Sequence, residues 1–244
     1  IPTPFFCINN AQQYNQGAID ADGDLLSFNL ISGLDGNGNQ VNYTPPYTPA
    51  DPLGYVPGSF NFSNATGQLS FTPNTVQNAL VVSQVTETRG GIVVGTSMRE
   101  MVFVVLGNCN NQSPNGVIST NNAGVITNGN EITICNATTQ LQFDINPIDP
   151  DNGKILVNYS GLPPGAVMSI NNNNTSNPNL QFSWTIPPSL PLGDYTFYVT
   201  YQDDDCPLSS KQTIAYTIHY IQPILANITS TAETCVPASD GTIN

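Results

Sequence analysis

Leu180-Gln181-Phe182-Ser183-Trp184-Thr185-Ile186 alternates apolar and polar residues without a break. Side chains of a β-strand point to opposite faces with a period of two, so this stretch reads as a strand with Leu180, Phe182, Trp184 and Ile186 turned into a core. Trp184 is therefore a core residue and not a binding platform. The same alternation recurs between clusters of Gly, Pro and Asn, while helical periodicity is almost absent. Strands are expected at 25–31, 68–72, 79–86, 92–95 and 98–106, then at 131–135, 140–145, 154–159, 180–186, 194–202 and 212–220. The fold class is all-β, built as tandem immunoglobulin-like or cadherin-like β-sandwiches. Twenty prolines and twenty glycines punctuate these runs, which argues against long central strands.

A chain of 244 residues is too long for one small sandwich and suits two modules of roughly 100 to 120 residues each. The turn-rich stretch from Gly107 to Gly116 places the first boundary, and Tyr220-Ile221-Gln222-Pro223 places the second. The expected division is 1–112, 113–222 and the start of a third module at 223–244. The opening Ile1-Pro2-Thr3 and the close at Asn244 suggest a piece of a longer protein. A faint internal repeat supports the division: Cys7 is followed by Asp20-Ala21-Asp22-Gly23-Asp24, as Cys135 is followed by Asp149-Pro150-Asp151-Asn152-Gly153.

Charge narrows the function. Seventeen acidic residues against four basic ones give a net charge of -13, which excludes nucleic acid as a partner, because phosphates are held mainly by Lys and Arg. A basic membrane-surface patch is excluded on the same ground, and no apolar run is long enough for a membrane-spanning helix. With His219 as the single histidine, in an alternating strand without an acidic or nucleophilic neighbour in sequence, proton-transfer catalysis is disfavoured and His219 reads as a strand-surface residue. The chain has no Gly-x-Ser-x-Gly elbow, phosphate loop or His-Glu-x-x-His helix. A glycosidase needs only two carboxylates and stands as a third alternative.

Clustered carboxylates are the strongest chemical signal. Asp20, Asp22 and Asp24 alternate on a loop, and Glu87 ends a later strand; together they could converge on Ca²⁺, a hard cation that takes six to eight oxygens. The alternative is that these residues cap a turn through their own backbone, with Glu87 paired to Arg89 or Arg99. An EF-hand is rejected, since Ile31 stands at the twelfth loop position. The second half offers Asp149, Asp151 and Asp203, with Asp205 nearby. Lys154 could supply positive charge there, so calcium is expected to matter more in the first half.

Five cysteines without a Cys-x-x-Cys pair argue for disulfides in an oxidising compartment. Setting Cys235 aside for a neighbouring module leaves Cys7 with Cys109 and Cys135 with Cys206. The second pair fails if Cys135 precedes a strand running away from the hairpin that holds Cys206, because the two would then lie at opposite poles. Tyr43, Tyr47 and Tyr55 lie on a Pro-rich loop, 41–60. They could stack on sugar rings, or the loop could wrap its own sandwich and the tyrosines pack there; packing is the preferred reading.

The segments DADGDLLSF (20–28), TGQLSFTPN (66–74), VTE (85–87) and SMREMVFVVLGNC (97–109) resemble the cadherin-like and immunoglobulin-like modules of giant bacterial surface proteins. IDPDNGKILVNYSGLPPGA (148–166) and GDYTFYVTYQDDDC (193–206) look like a related module. ITSTAETCVPASDGTIN (228–244) is similar to the opening of the repeat in SprB-type gliding adhesins, which are exported by type IX secretion. The resemblance implies a non-enzymatic stalk or adhesion module displayed outside a Gram-negative cell in association with its outer membrane, used in surface attachment or gliding. Its partners would be neighbouring modules of the same chain, and surface polysaccharide or other cell-surface and secretion proteins. The alternative is a pair of carbohydrate-binding accessory modules of a secreted enzyme.

Overall fold

The computed structural model describes residues 3–119, 125–205, 208–222, 230–231 and 242–243. The regular elements among them are all strands: β1 Phe5–Cys7, β2 Gln12–Tyr14, β3 Leu25–Leu30, β4 Asn61–Phe62, β5 Leu69–Phe71, β6 Gln77–Arg89, β7 Ile92–Leu106, β8 Asn115–Ser119, β9 Ile126–Asn128, β10 Glu131–Cys135, β11 Gln140–Ile148, β12 Leu156–Ser160, β13 Ala166–Asn171, β14 Asn179–Thr185, β15 Gly193–Gln202, β16 Lys211–Ile221, β17 Ser230–Thr231 and β18 Thr242–Ile243. Sheets β1-β7-β6-β3 and β2-β5-β4 face each other across one core. Sheets β12-β15-β16-β10-β9 and β13-β14-β11-β8 enclose another, and β17 pairs with β18. The fold is all-β.

Alternation fixes what each sheet buries. In β14, Leu180, Phe182 and Trp184 are all within 2% of full burial, as their period-two placement requires. Phe182 stacks on Phe143 and on Phe197, while the Trp184 indole N–H donates to the Pro164 carbonyl at 3.0 Å. The other core is smaller and centres on the rings of Phe6, Phe71 and Phe103. Leu53, carried by the 41–60 loop, is buried in it.

Two strands are longer than the density of proline suggests. β6 spans 13 residues and β7 spans 15, joining stretches that sequence punctuation separates. No proline interrupts 74–113, so the composition of the whole chain misjudges this segment. The strands turn at Gly90-Gly91, both with positive φ (58° and 82°), the backbone that a two-residue hairpin matched to the twist of its strands demands. Strands β1, β2, β4, β8, β9 and β13 are unexpected; β1, β2, β4 and β9 have two or three residues each, too few for a periodic signal, while β8 and β13 have five and six.

The two sandwiches meet through glutamines. β10 pairs with β16 only from Thr217 to Ile221, leaving the edge of β16 before Thr217 without a strand. The Gln68 side-chain amide fills that edge: its carbonyl accepts from the Ala215 N–H at 2.9 Å and its NH₂ donates to the Thr213 carbonyl at 3.4 Å. Buried Gln212 accepts from the Gln13 N–H and donates to the Pro114 carbonyl. Buried Ser113 bonds Gln12 and Ser210, and the Tyr198 hydroxyl donates to the Thr66 carbonyl. Gln68→Ala leaves two strand-edge groups without partners, a loss of about 1–3 kcal/mol each where they stay desolvated. The expected result is Ala215 amide hydrogen exchange faster by roughly tenfold or more, with the Phe197 amide unchanged.

Candidate metal centres

The loop before β3 draws its acids together by an Asx turn. The Asp20 carboxylate accepts from the backbone N–H groups of Asp22 (2.9 Å) and Asp24 (2.8 Å), which is the turn-capping role. β6 runs antiparallel to β3 and brings Glu87 opposite Leu26. Oxygens of Asp20, Asp24 and Glu87 then lie within 4.8 Å of one another. Asp22 turns elsewhere. Arg89, at the hairpin tip, donates to both Asp24 oxygens and to Asp22. Arg89 thus pairs with the loop aspartates and not with Glu87. Its bonds hold the Asp24 carboxyl below the usual range, while the hydrogen bond between Asp24 and Glu87 raises the Glu87 carboxyl. This cluster is partly exposed and already carries its own cation.

The second cluster is built differently. β11 ends at Ile148 and β15 at Gln202, which places Asp149 and Asp203 at the same pole of the second sandwich, beside the 107–114 connection. Both are buried, each about 4% exposed, and their oxygens lie within 4.8 Å of each other and of Asp205. Asp149 accepts from the Asp151 N–H, and Asp203 accepts from the Ser210 N–H at 2.8 Å. The remaining oxygen of each, Asp149 Oδ2 and Asp203 Oδ2, is buried without a hydrogen-bond partner, and so is Asn111 Oδ1. Asn111 reaches across the junction to donate to the Leu208 carbonyl, and the Gln112 N–H donates to Asp151.

Gly153 is required by a close approach. A Cβ at that position would stand 2.6 Å from Asp149 Oδ2, nearer than real side chains come. Lys154 does not enter the cluster: its N–H and its ammonium both go to Asp204, with the ammonium–carboxylate pair at 3.8 Å and largely exposed. The expected substitution of Lys154 for a metal charge is therefore not met, because its side chain leaves the loop on the solvent side.

Burial raises the Asp203 carboxyl against hydrogen bonds from Ser210, Asn111 and Asp205 that lower it, and neighbouring Asp149 adds to the rise; burial followed by Asp149, Asp151 and Asp204 raises Asp205. A carboxyl raised in the folded state favours folding fully below its unfolded value, about 3.9, and loses that contribution as pH rises through the folded value. In chelator, wild-type stability should therefore fall relative to Asp203→Asn as pH rises from about 4 toward neutrality. Paired urea titrations of the two proteins across that range measure the difference.

Buried, unpaired carboxylate oxygens are costly unless a cation joins them. The converging donors, from Asp149, Asp203 and Asp205, are all hard oxygens, which is the chemistry Ca²⁺ selects, and the Asn111 side chain lies against Asp203. Asp205 belongs to the converging group, although its sequence signal is only proximity to Asp203. Asn111 is marked by nothing beyond the Asn-rich connection.

Cys7 and Cys109 form a disulfide, with sulfurs 2.08 Å apart. Cys135 is a free thiol, and Cys206 lies outside the described residues. β10 runs parallel to β16 and sets Cys135 against Ile221, the end of β16 farthest from Lys211 and its hairpin. The expected Cys135–Cys206 bond involves Cys206 and so falls outside the described residues.

The three loop tyrosines are half-buried against their own sandwich: the Tyr43 hydroxyl donates to the Leu80 carbonyl, and Tyr55 stacks on Phe60 at 4.9 Å. The Tyr47 hydroxyl lies over Gly54. His219 sits between two carboxylates, Asp194 at 2.7 Å and Glu131 at 3.7 Å, which come from neighbouring strands and so escape a search along the chain.

No protein-family model and no curated protein matches the chain. Among solved structures it is similar to the extracellular cadherin domains 3–6 of protocadherin gamma B2 (13% identity, TM-score 0.31, covering 95% of this chain and 48% of that one). It is similar to Drosophila N-cadherin EC1–4 (10% identity, TM-score 0.30, 94% and 50%). A SusE-like surface-located polysaccharide-binding protein of Bacteroides thetaiotaomicron also matches (12% identity, TM-score 0.29, 93% and 34%). The chain spans half or less of the length of each.

Proposed function

We propose that this chain is a non-enzymatic, calcium-stiffened segment of an extracellular surface protein, in which two sandwiches are held in one orientation. The observation that carries the reading is the pair of buried oxygens, Asp149 Oδ2 and Asp203 Oδ2, left without hydrogen bonds beside the connection between the sandwiches. Asp149, Asp203 and Asp205 would hold Ca²⁺, with Asn111 as a neutral donor from the connection. The bound ion would supply the positive charge that Lys154 withholds, and it would tie the connection to the loops at 149–153 and 203–205. The first cluster, Asp20, Asp24 and Glu87, is the weaker candidate, because Arg89 competes with any cation there.

The Cys7–Cys109 bond supports an oxidising, extracellular setting. Within that setting, the sequence resemblance supports reading the segment as part of a SprB-type gliding adhesin, exported by type IX secretion and held at the outer membrane. Small-angle X-ray scattering of the two-sandwich protein tests the mechanical part. In calcium it should give one narrow interdomain distance distribution that broadens in chelator, while Asp149→Asn stays broad in both. Identical scattering of the wild type in calcium and chelator would refute it.

A further inference from the structure

Between the two sandwiches lies a groove of about 480 Å³, lined from one side by Phe5, Tyr14 and Arg99 and from the other by Thr200, Lys211 and Thr213. That volume falls within the range of about 300–1,000 Å³ typical of small-ligand sites. Its charge runs against the rest of the molecule. The chain has four basic residues and seventeen acidic ones, yet no Asp or Glu lines this groove and two of the four cations do. Arg89 and Lys154 are committed to Asp22, Asp24 and Asp204. Arg99 and Lys211 make no ion pair among the described residues.

Strand geometry aims both cations there. Arg99 has the parity of Met101, Phe103 and Val105, which point into the core, so its side chain continues the inward row where the sandwich opens toward its neighbour. It comes close enough to Tyr14 for its charge to oppose the burial that raises that phenol. Lys211 begins β16 on the parity of Thr213 and Ala215, the face turned toward the first sandwich.

We infer that this groove binds an anionic saccharide, a uronate or sulfated sugar unit, with Arg99 and Lys211 holding its charged group. The remaining lining favours sugar over other anions. Ser160 and Gln16 present a hydroxyl and an amide suited to ring hydroxyls, the Thr200 and Thr213 hydroxyls, bonded to each other at 2.8 Å, keep lone pairs for further bonds, and Phe5, 46% exposed, and Tyr14 offer aromatic surface. The site lies apart from the tyrosines of the 41–60 loop.

The test is calorimetric titration of the two-sandwich protein in calcium buffer with oligogalacturonate, a sulfated chondroitin tetrasaccharide, neutral cellotetraose, inorganic sulfate and octaglutamate. At least one acidic saccharide should bind at least tenfold more tightly than cellotetraose, sulfate or octaglutamate. Arg99→Gln and Lys211→Gln should each weaken it about tenfold, the loss of one charge-assisted hydrogen bond. Both side chains are exposed, so both variants should keep the wild-type melting temperature, and raised salt should weaken wild-type binding. Absence of binding by both acidic saccharides would overturn the inference. So would equal affinity for cellotetraose, sulfate or octaglutamate, or undiminished affinity in the double variant.

Discussion

Replacing both Cys7 and Cys109 with serine is expected to lower the unfolding free energy of the first sandwich by about 3–5 kcal/mol, the largest single effect in this chain. The bond joins residues 102 positions apart, and closing a loop of about 100 residues removes roughly 4.7 kcal/mol of chain entropy from the unfolded state in the simplest treatment. A local effect adds to it. β1 is three residues long and pairs in parallel with the end of β7, and it carries Phe6, 2% exposed, into the core. Without the bond, Cys7 remains next to Leu106 only through those few ladder bonds, and fraying of β1 would uncover Phe6. Urea unfolding of the double variant measures the loss. Cys135→Ser removes no bond and should change stability by no more than about 0.5 kcal/mol. Equal effects of the two replacements would show that the Cys7–Cys109 bond constrains nothing.

How far such behaviour can be read in advance depends on whether its cause is local. Leu180 to Ile186 announces its strand because a single residue's neighbours decide which face it takes. β6 and β7 are misjudged because proline content averaged over the chain says nothing of the proline-free stretch between Pro73 and Pro114. The acids at 149, 151 and 203 are visible as carboxylates near strand ends. Their burial, the departure of Lys154 toward Asp204 and the arrival of Arg89 at Asp22 and Asp24 are not visible, since each is fixed by a hairpin folding back from a distant part of the sequence. Arg99 and Lys211 share a groove only because Gln68 and Gln212 lock two separate sandwiches together. No spacing in the chain encodes that meeting.

The second large effect concerns Asp203, where one substitution should change sign with the metal. In the absence of calcium, Asp203 Oδ2 is buried, unpaired and beside Asp149, and its raised carboxyl records the cost of ionising it there. Asp203→Asn removes that charge while keeping an oxygen to accept from Ser210, so at neutral pH in chelator the variant should be the more stable protein. In calcium the order should reverse. The wild type gains about 2.7 kcal/mol at a hundred times the dissociation constant, whereas the variant lacks one anionic ligand and gains far less. Asp22→Asn should leave the calcium increment unchanged, because that side chain is spent on Arg89.

The decisive measurement is therefore the melting temperature of metal-stripped wild type and Asp203→Asn, each with calcium and with chelator at neutral pH. The account requires crossing: the variant melts above the wild type in chelator and below it in calcium. A variant that melts below the wild type by the same margin in both conditions, with no calcium increment in either protein, would show that these buried carboxylates hold loops together and bind no ion.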